Sequence, residues 1–266
     1  MYSNFQMAKK FLRYHLAASN AKGHGMHSPF VFDFILNVLN NRSGYASPLE
    51  VEQLRGALLR DGRSLLIEDL GAGSRTAATR QRTVSQLARS ALKPPKYAQL
   101  LYRLAKHYKP SSIIELGTSL GLTTAYLSKA NPLAAITTIE GSEAIAGVAR
   151  NNLSTLGCTN VESLTGNFDA VLPAVLRGLN GPLGLGYIDG NHRYAPTVDY
   201  FEQMLGVAGS HTILVFDDIH WSQEMEKAWE QIKAHPRVVY TIDIFFLGFV
   251  FFRSEFKVKQ DFAVRF

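Results

Sequence analysis

The chain has 266 residues, 46% of them apolar and 19% charged, with 28 Lys and Arg against 22 Asp and Glu for a net charge of +6. That length holds one large α/β core with an appendage, and the composition excludes a disordered chain. Cys158 is the one cysteine, which excludes a disulfide framework and a cysteine-rich metal site.

In chain order, Ser3 or Asn4 caps a first helix running to about Ala18, with Phe5, Leu12 and Leu16 on one side. Residues 21–27 form a loop in which His24 and His27 have ligand-like spacing but no further ligand nearby. Ser28-Pro29 opens an apolar helix from Phe30 to Asn40, whose Val31, Phe34, Ile35 and Val38 call for a large packing partner. Ser47-Pro48-Leu49-Glu50 reads as a capping box opening a third helix to about Arg60. Leu65–Ser74 contains a Gly-x-Gly, but no strand ending in a carboxylate follows at the distance a ribose site requires, so it reads as a loop or short strand. From Arg75 to Lys109 there are nine Lys or Arg (75, 80, 82, 89, 93, 96, 103, 106, 109) and no acid. They are spread at helical spacing, which favours a solvated face over a nucleic-acid surface. Lys93-Pro94-Pro95-Lys96 breaks the pattern and marks a boundary. Residues 1–95 form a mainly helical extension, and 96–266 form the principal domain.

After Tyr97–Tyr108, one more amphipathic helix, strands and helices alternate. Strands are expected around Ile113, Ile114 and Leu116, and at Ala135–Ile139, Val161–Leu164, Gly184–Ile188 and Thr212–Phe216. Two aromatic strands, Val238–Phe246 and Phe249–Arg253, follow, joined at Leu247-Gly248. The longest apolar run, Val238–Phe252, is interrupted by Asp243 and falls short of the ~18 residues of a membrane helix. Met1–Lys10 has no apolar signal core. The expectation is a cytoplasmic chain without membrane insertion. The pattern predicts an α/β fold: a doubly wound, Rossmann-like, seven-stranded, mostly parallel sheet with an antiparallel C-terminal hairpin and an N-terminal helical extension, its ligand at the carboxyl ends of the strands.

The stretch Glu115-Leu116-Gly117-Thr118-Ser119-Leu120-Gly121 is a strand, a small-residue turn and a helix start, which together offer backbone N–H groups to a ligand. Glu140 ends the next strand, where a carboxylate accepts ribose hydroxyls. The spacing is Glu-x-Gly-x-x-x-Gly, without the close glycines that admit a pyrophosphate. An acid beside the turn suits a ligand with a cationic amino group, such as S-adenosylmethionine. Asp189, Asp217 and Asp218 close later strands. Such acids need a cation, a shared proton or a donor between them. Mg²⁺ or Ca²⁺ is one resolution, and helix capping is the other.

In Glu115–Gly121, Ile139-Glu140, Tyr187-Ile188-Asp189-Gly190-Asn191-His192 and Phe216-Asp217-Asp218, the chain from Tyr97 to Arg253 resembles class I S-adenosylmethionine-dependent methyltransferases, in particular the catechol O-methyltransferase-like branch. The resemblance implies that Glu115, Gly117, Thr118, Ser119 and Gly121 surround the methionine end of the cofactor. It implies that Glu140 holds the ribose, beside Gly141 and Ser142, and that Asn167 and Phe168 border the adenine. It also implies that Asp189 touches the cofactor and, with Asp217 and Asp218, holds a divalent metal such as Mg²⁺. The family usually has Asp-Asn where this chain has Asp217-Asp218. His192 stands where the family often carries a general base, so His192 and Asp189 are the catalytic candidates, and His220 and Trp221 are weaker candidates for an acceptor pocket. The implied activity is methylation of O or N on a small-molecule acceptor. Two alternatives stay open: an RNA or protein methyltransferase using residues 75–109, and a non-catalytic cofactor-binding scaffold. The N-terminal helices are the surface on which a second copy would form a homodimer.

Overall fold

The computed structural model describes residues 1–19, 28–41, 48–69 and 78–266. His24, His27, Ser47, Arg75 and the Gly71–Ser74 stretch lie outside the described residues.

Helix α1 (Asn4–Ala17) starts on a capping box in which Ser3 and Gln6 exchange side-chain and backbone bonds, satisfying two orphan amides at once. Helix α2 (Pro29–Phe34) has Ser28 as N-cap and Pro29 in its first turn, and continues as a π-helical turn, Ile35–Leu39. The expected helix to Asn40 is therefore two helical forms in succession. Helix α3 (Leu49–Leu58) has Pro48 at its N-cap position with no side-chain cap. Strands β1 (Ser64–Asp69) and β2 (Ala78–Thr83) pair antiparallel, so the expected loop or short strand is one arm of a hairpin. Helices α4 (Val84–Ala91) and α5 (Pro95–Tyr108) follow. The alternation then runs β3 (Ser112–Leu116), α6 (Leu122–Ala130), β4 (Ala135–Glu140), α7 (Glu143–Thr155), β5 (Val161–Thr165) and α8 (Phe168–Arg177). It continues with β6 (Leu183–Ile188), α9 (Tyr194–Gly206), β7 (Ala208–Asp217), α10 (Gln223–Ala234), β8 (Tyr240–Asp243), β9 (Leu247–Phe251) and β10 (Gln260–Ala263).

The chain divides into two compact units, residues 42–178 and residues 1–41 with 179–266. In the first, β3, β4 and β5 pair in parallel. Ile113, Ile114 and Leu116 are buried with Leu100, Leu101 and Tyr126 of α5 and α6. Each such side chain contributes roughly 1.5–3 kcal/mol by leaving water. Arg103 is also buried, so the basic run is not wholly a solvated face.

In the second unit β6 pairs parallel with β7, β9 joins β7 antiparallel, and β8 pairs antiparallel with β9. β3–β9 are the seven strands expected, mostly parallel and ending in the antiparallel pair. The hairpin joint is displaced: Leu247 and Gly248 lie inside β9, and the turn is residues 244–246. A Cβ on Gly248 would sit 2.7 Å from the Trp229 ring, so packing against α10 explains a glycine inside a strand. β10, which was not expected, adds in parallel to β8. Phe30 packs edge-on against Phe251, and Phe34 against Phe249, which is the large partner the apolar helix called for. Helix α1 is tied down by its polar side: Tyr2 donates to Glu226 (2.7 Å), Lys10 pairs with Glu226 (2.8 Å), and the Tyr14 hydroxyl donates to the Asp243 carbonyl (2.6 Å).

Candidate functional site

The turn after β3 is held by backbone bonds from Gly117 and Thr118 to the Ile139 carbonyl, 3.0 and 3.2 Å. Ser119 (φ 47) and Gly121 (φ 81) are left-handed, and a Cβ on Gly121 would meet Ala149 at 3.4 Å. Gly121 is also the N-cap of α6 and offers no side-chain acceptor to its amides, which leaves these donors facing outward from the helix end.

Two carboxylates organise this turn. Glu115 is fully buried; its Oε2 accepts from the hydroxyls of Thr124 and Thr138, and Thr138 is bonded in turn to Thr118 (2.6 Å). Glu140, at the end of β4, is partly exposed. Its Oε2 accepts from the Ser119 amide (2.9 Å) and its Oε1 from the Ser142 amide (3.1 Å). Burial pushes the Glu140 carboxyl up from its ordinary value, against the pull of the Ser142, Ser119 and Gly141 amides. Each oxygen keeps a lone pair for a further donor. Ser142 is the N-cap of α7 but makes no capping bond, and its Oγ is buried with no hydrogen-bond partner among the described residues. An orphaned hydroxyl beside a carboxylate fits a ribose. Asn167 caps α8 through the Asp169 amide (2.9 Å), and Phe168, half-buried, opens that helix. Gly166 bonds the Glu140 carbonyl at 2.9 Å, which ties this segment to the same turn.

A second group lies in the other unit. Asp189, His192 and Asp217 each place one ligand atom within 4.8 Å of the others. Asp217 is buried, whereas Asp189 and His192 are half-buried. The Tyr187 hydroxyl donates to Asp189 Oδ2 (2.7 Å), and His192 Nε2 lies 3.6 Å from Asp189 Oδ1. The His192 ring sits edge-on to Trp221, centroids 5.7 Å apart. Metal–oxygen distances of about 2.0–2.6 Å put opposite donors at most about 5 Å apart, so this donor set fits a divalent ion. Asp218 is not in the group. It takes a left-handed turn conformation (φ 53) and bonds the Phe246 carbonyl through its amide. Sequence reasoning gave His192 only a base role and missed its convergence with the acids. The signal available was its three-residue offset from Asp189. His220 bonds Asp243 (2.8 Å) and Glu226 (3.3 Å) and stacks on Phe245, which places it in the α1 anchor.

Residues 114–219 match the family described as a methyltransferase domain. Over 127 residues the chain is 29% identical to a catechol O-methyltransferase of Niastella koreensis, covering 47% of this chain and 57% of that protein. The chain thus spans little more than half the length of that curated relative. Among solved structures it is similar to the O-methyltransferase TomG of Streptomyces achromogenes, crystallised with S-adenosylmethionine (20% identity, TM-score 0.56, 64% of this chain and 87% of that one). It is also similar to an O-methyltransferase of Bacillus cereus in complex with S-adenosylhomocysteine (20% identity, TM-score 0.56, 84% and 97%). These likenesses establish a class I, Rossmann-like methyltransferase fold.

Proposed function

With a methyltransferase domain at residues 114–219 as the premise, we propose that the chain transfers a methyl group from S-adenosylmethionine to an oxygen of a small-molecule acceptor, residues 96–266 forming the catalytic domain. The observation that carries this reading is Glu140, whose two oxygens are aimed by the Ser119 and Ser142 amides. Glu140 takes the ribose hydroxyls, with Gly141 and the Ser142 Oγ beside it. Gly117, Thr118, Ser119 and Gly121 line the methionine end, and Glu115 is the buried anchor that fixes Thr118 through Thr138. Asn167 and Phe168 border the adenine.

In the reaction an acceptor oxygen attacks the sulfonium methyl in line. The new C–O bond forms as the C–S bond breaks, the electron pair stays on sulfur, and S-adenosylhomocysteine leaves. His192, whose Nε2 lies 3.6 Å from Asp189 Oδ1 and whose ring sits edge-on to Trp221, takes the acceptor proton. Asp189 and Asp217 would hold a divalent ion such as Mg²⁺, which would supply Lewis acidity to an acceptor oxygen. Most of the acceleration then comes from alignment.

Titration calorimetry with S-adenosylmethionine tests the cofactor role. Glu140→Ala removes a charged acceptor worth about 1.5–3 kcal/mol, so affinity drops roughly ten- to hundredfold with the melting curve retained. Undiminished binding by the variant, or none by the wild type, overturns the reading. A screen of catechols and other hydroxylated aromatics with Mg²⁺ tests the acceptor class.

A further inference from the structure

Helix α1 carries apolar side chains on two sides: Phe11 packs inward on Phe245 and Phe246, and a second row faces out. Its inward side carries Lys10 and Tyr14, which with Tyr2 hydrogen-bond to Glu226 and the Asp243 carbonyl. Its outward side carries Phe5, Ala8, Leu12 and Leu16, spaced by three and four residues and so on one face. These are not marginal exposures: Phe5 is 79%, Leu12 59% and Leu16 71% accessible. A globular surface rarely leaves such a row uncovered without a use for it. Lys9 and Arg13, both exposed, border the row one position further round, and the helix contains no acidic residue. The inner anchor is internally consistent. Burial opposes the Glu226 charge, but Lys10, Tyr2 and His220 overcome it and hold its carboxyl below the ordinary value. The helix is thus fixed to the body by Lys10, Tyr14 and Phe11, whose ring meets Phe245 edge-on at 5.0 Å, while Phe5, Leu12 and Leu16 are turned out.

We propose that the outer face of α1 docks on an anionic lipid surface, with Phe5, Leu12 and Leu16 entering the headgroup boundary and Lys9 and Arg13 pairing with lipid phosphates. An apolar stripe edged by cations on a helix too polar to span is the pattern of an interfacial helix, and no described helix is long and apolar enough to cross a membrane. A second copy of the chain is the competing occupant. Charge favours the lipid over it, because Lys9 and Arg13 border the row and no acid in α1 offers a second copy's cations a partner. Docking there would deliver the protein to acceptors dissolved in or bound at the bilayer.

Co-sedimentation with vesicles tests this independently of any methyl transfer. The full chain is mixed with phosphatidylcholine vesicles and with phosphatidylcholine–phosphatidylglycerol vesicles at low and high salt. The wild type is expected to pellet with the anionic vesicles, less so in salt. Lys9→Gln and Arg13→Gln should each weaken partition about fivefold, and Leu12→Glu with Leu16→Glu should abolish it. All four positions are exposed, so circular dichroism melts should match the wild type. A wild type that stays in the supernatant of anionic vesicles, or a Leu12→Glu/Leu16→Glu variant that pellets equally, overturns the proposal. So does a dimer in light scattering that the same double variant splits, which assigns the face to a second copy.

Discussion

The turn around Glu115 and Glu140 and the group of Asp189, His192 and Asp217 handle acidic side chains in opposite ways. In the turn, each carboxylate has donors from its own neighbourhood: two threonine hydroxyls for Glu115, two backbone amides for Glu140. The two carboxylates are held in place before a ligand arrives, and the Ser142 Oγ beside Glu140 is left for the ligand to satisfy. In the other group two acids and an imidazole are brought within 4.8 Å of one another, with the Tyr187 hydroxyl on Asp189. Two negative charges that close are relieved by a cation. A preorganised network is suited to a cofactor, whereas a charged, converging one is suited to recruit an ion and polarise an acceptor.

The sharpest way to break that contrast is to remove charge from the second group only. Asp217→Asn is expected to lower methyl transfer about 100-fold or more, in line with the weight of metal ligands and their supports, with S-adenosylmethionine affinity unchanged by calorimetry. Treating the wild type with a chelator should reproduce the loss. If neither treatment changes the rate, the group is a structural acid cluster and the contrast fails.

A smaller effect is expected from loosening the first network. Thr138→Val removes a donor to Glu115 and the link to Thr118, and a lost bond to a buried carboxyl costs about 1–3 kcal/mol. Thermal unfolding should fall by several degrees, and cofactor affinity should fall with it. Gly121→Val acts on the backbone instead. A β-branched residue at φ 81 costs roughly 1–2 kcal/mol, with Ala149 in contact. A melt equal to wild type for either variant would mean that the turn is not preorganised.

How much of this was legible in the sequence follows from the range of the forces involved. The strands around Ile113, Ile136 and Leu214 announce themselves through local apolar runs, and the turn glycines through backbone freedom that one residue encodes. The antiparallel partner of Leu65–Ile67 was not legible, because a polar strand such as β2 exists only by pairing. β10 is the same case: Gln260–Ala263 has no strand pattern and is held by β8. The hairpin joint was misplaced because Gly248 reads as a turn, while its glycine answers to Trp229, nineteen positions earlier in the chain. His192 was visible as a residue, but its convergence with Asp217 depends on two strand ends meeting.

The smallest expected effect is also the most specific to Glu140. Its ordinary pKa is 4.5, and burial raises it in the folded protein. The folded state therefore binds this proton more tightly than the unfolded chain, so the group's contribution to stability is greatest below about pH 4.5 and is lost as the pH rises through its folded value. The proposed ribose contact has the opposite sign, because hydroxyls would donate to the ionised carboxylate and need it charged. Across the same window, raising the pH should strengthen S-adenosylhomocysteine binding while this group's share of apo stability declines. Calorimetry and melts from pH 4.5 to 7 on wild type and Glu140→Gln isolate the effect, since glutamine has no proton to lose. If the variant keeps both slopes, other acids produce them and Glu140 is not the group that meets the ribose.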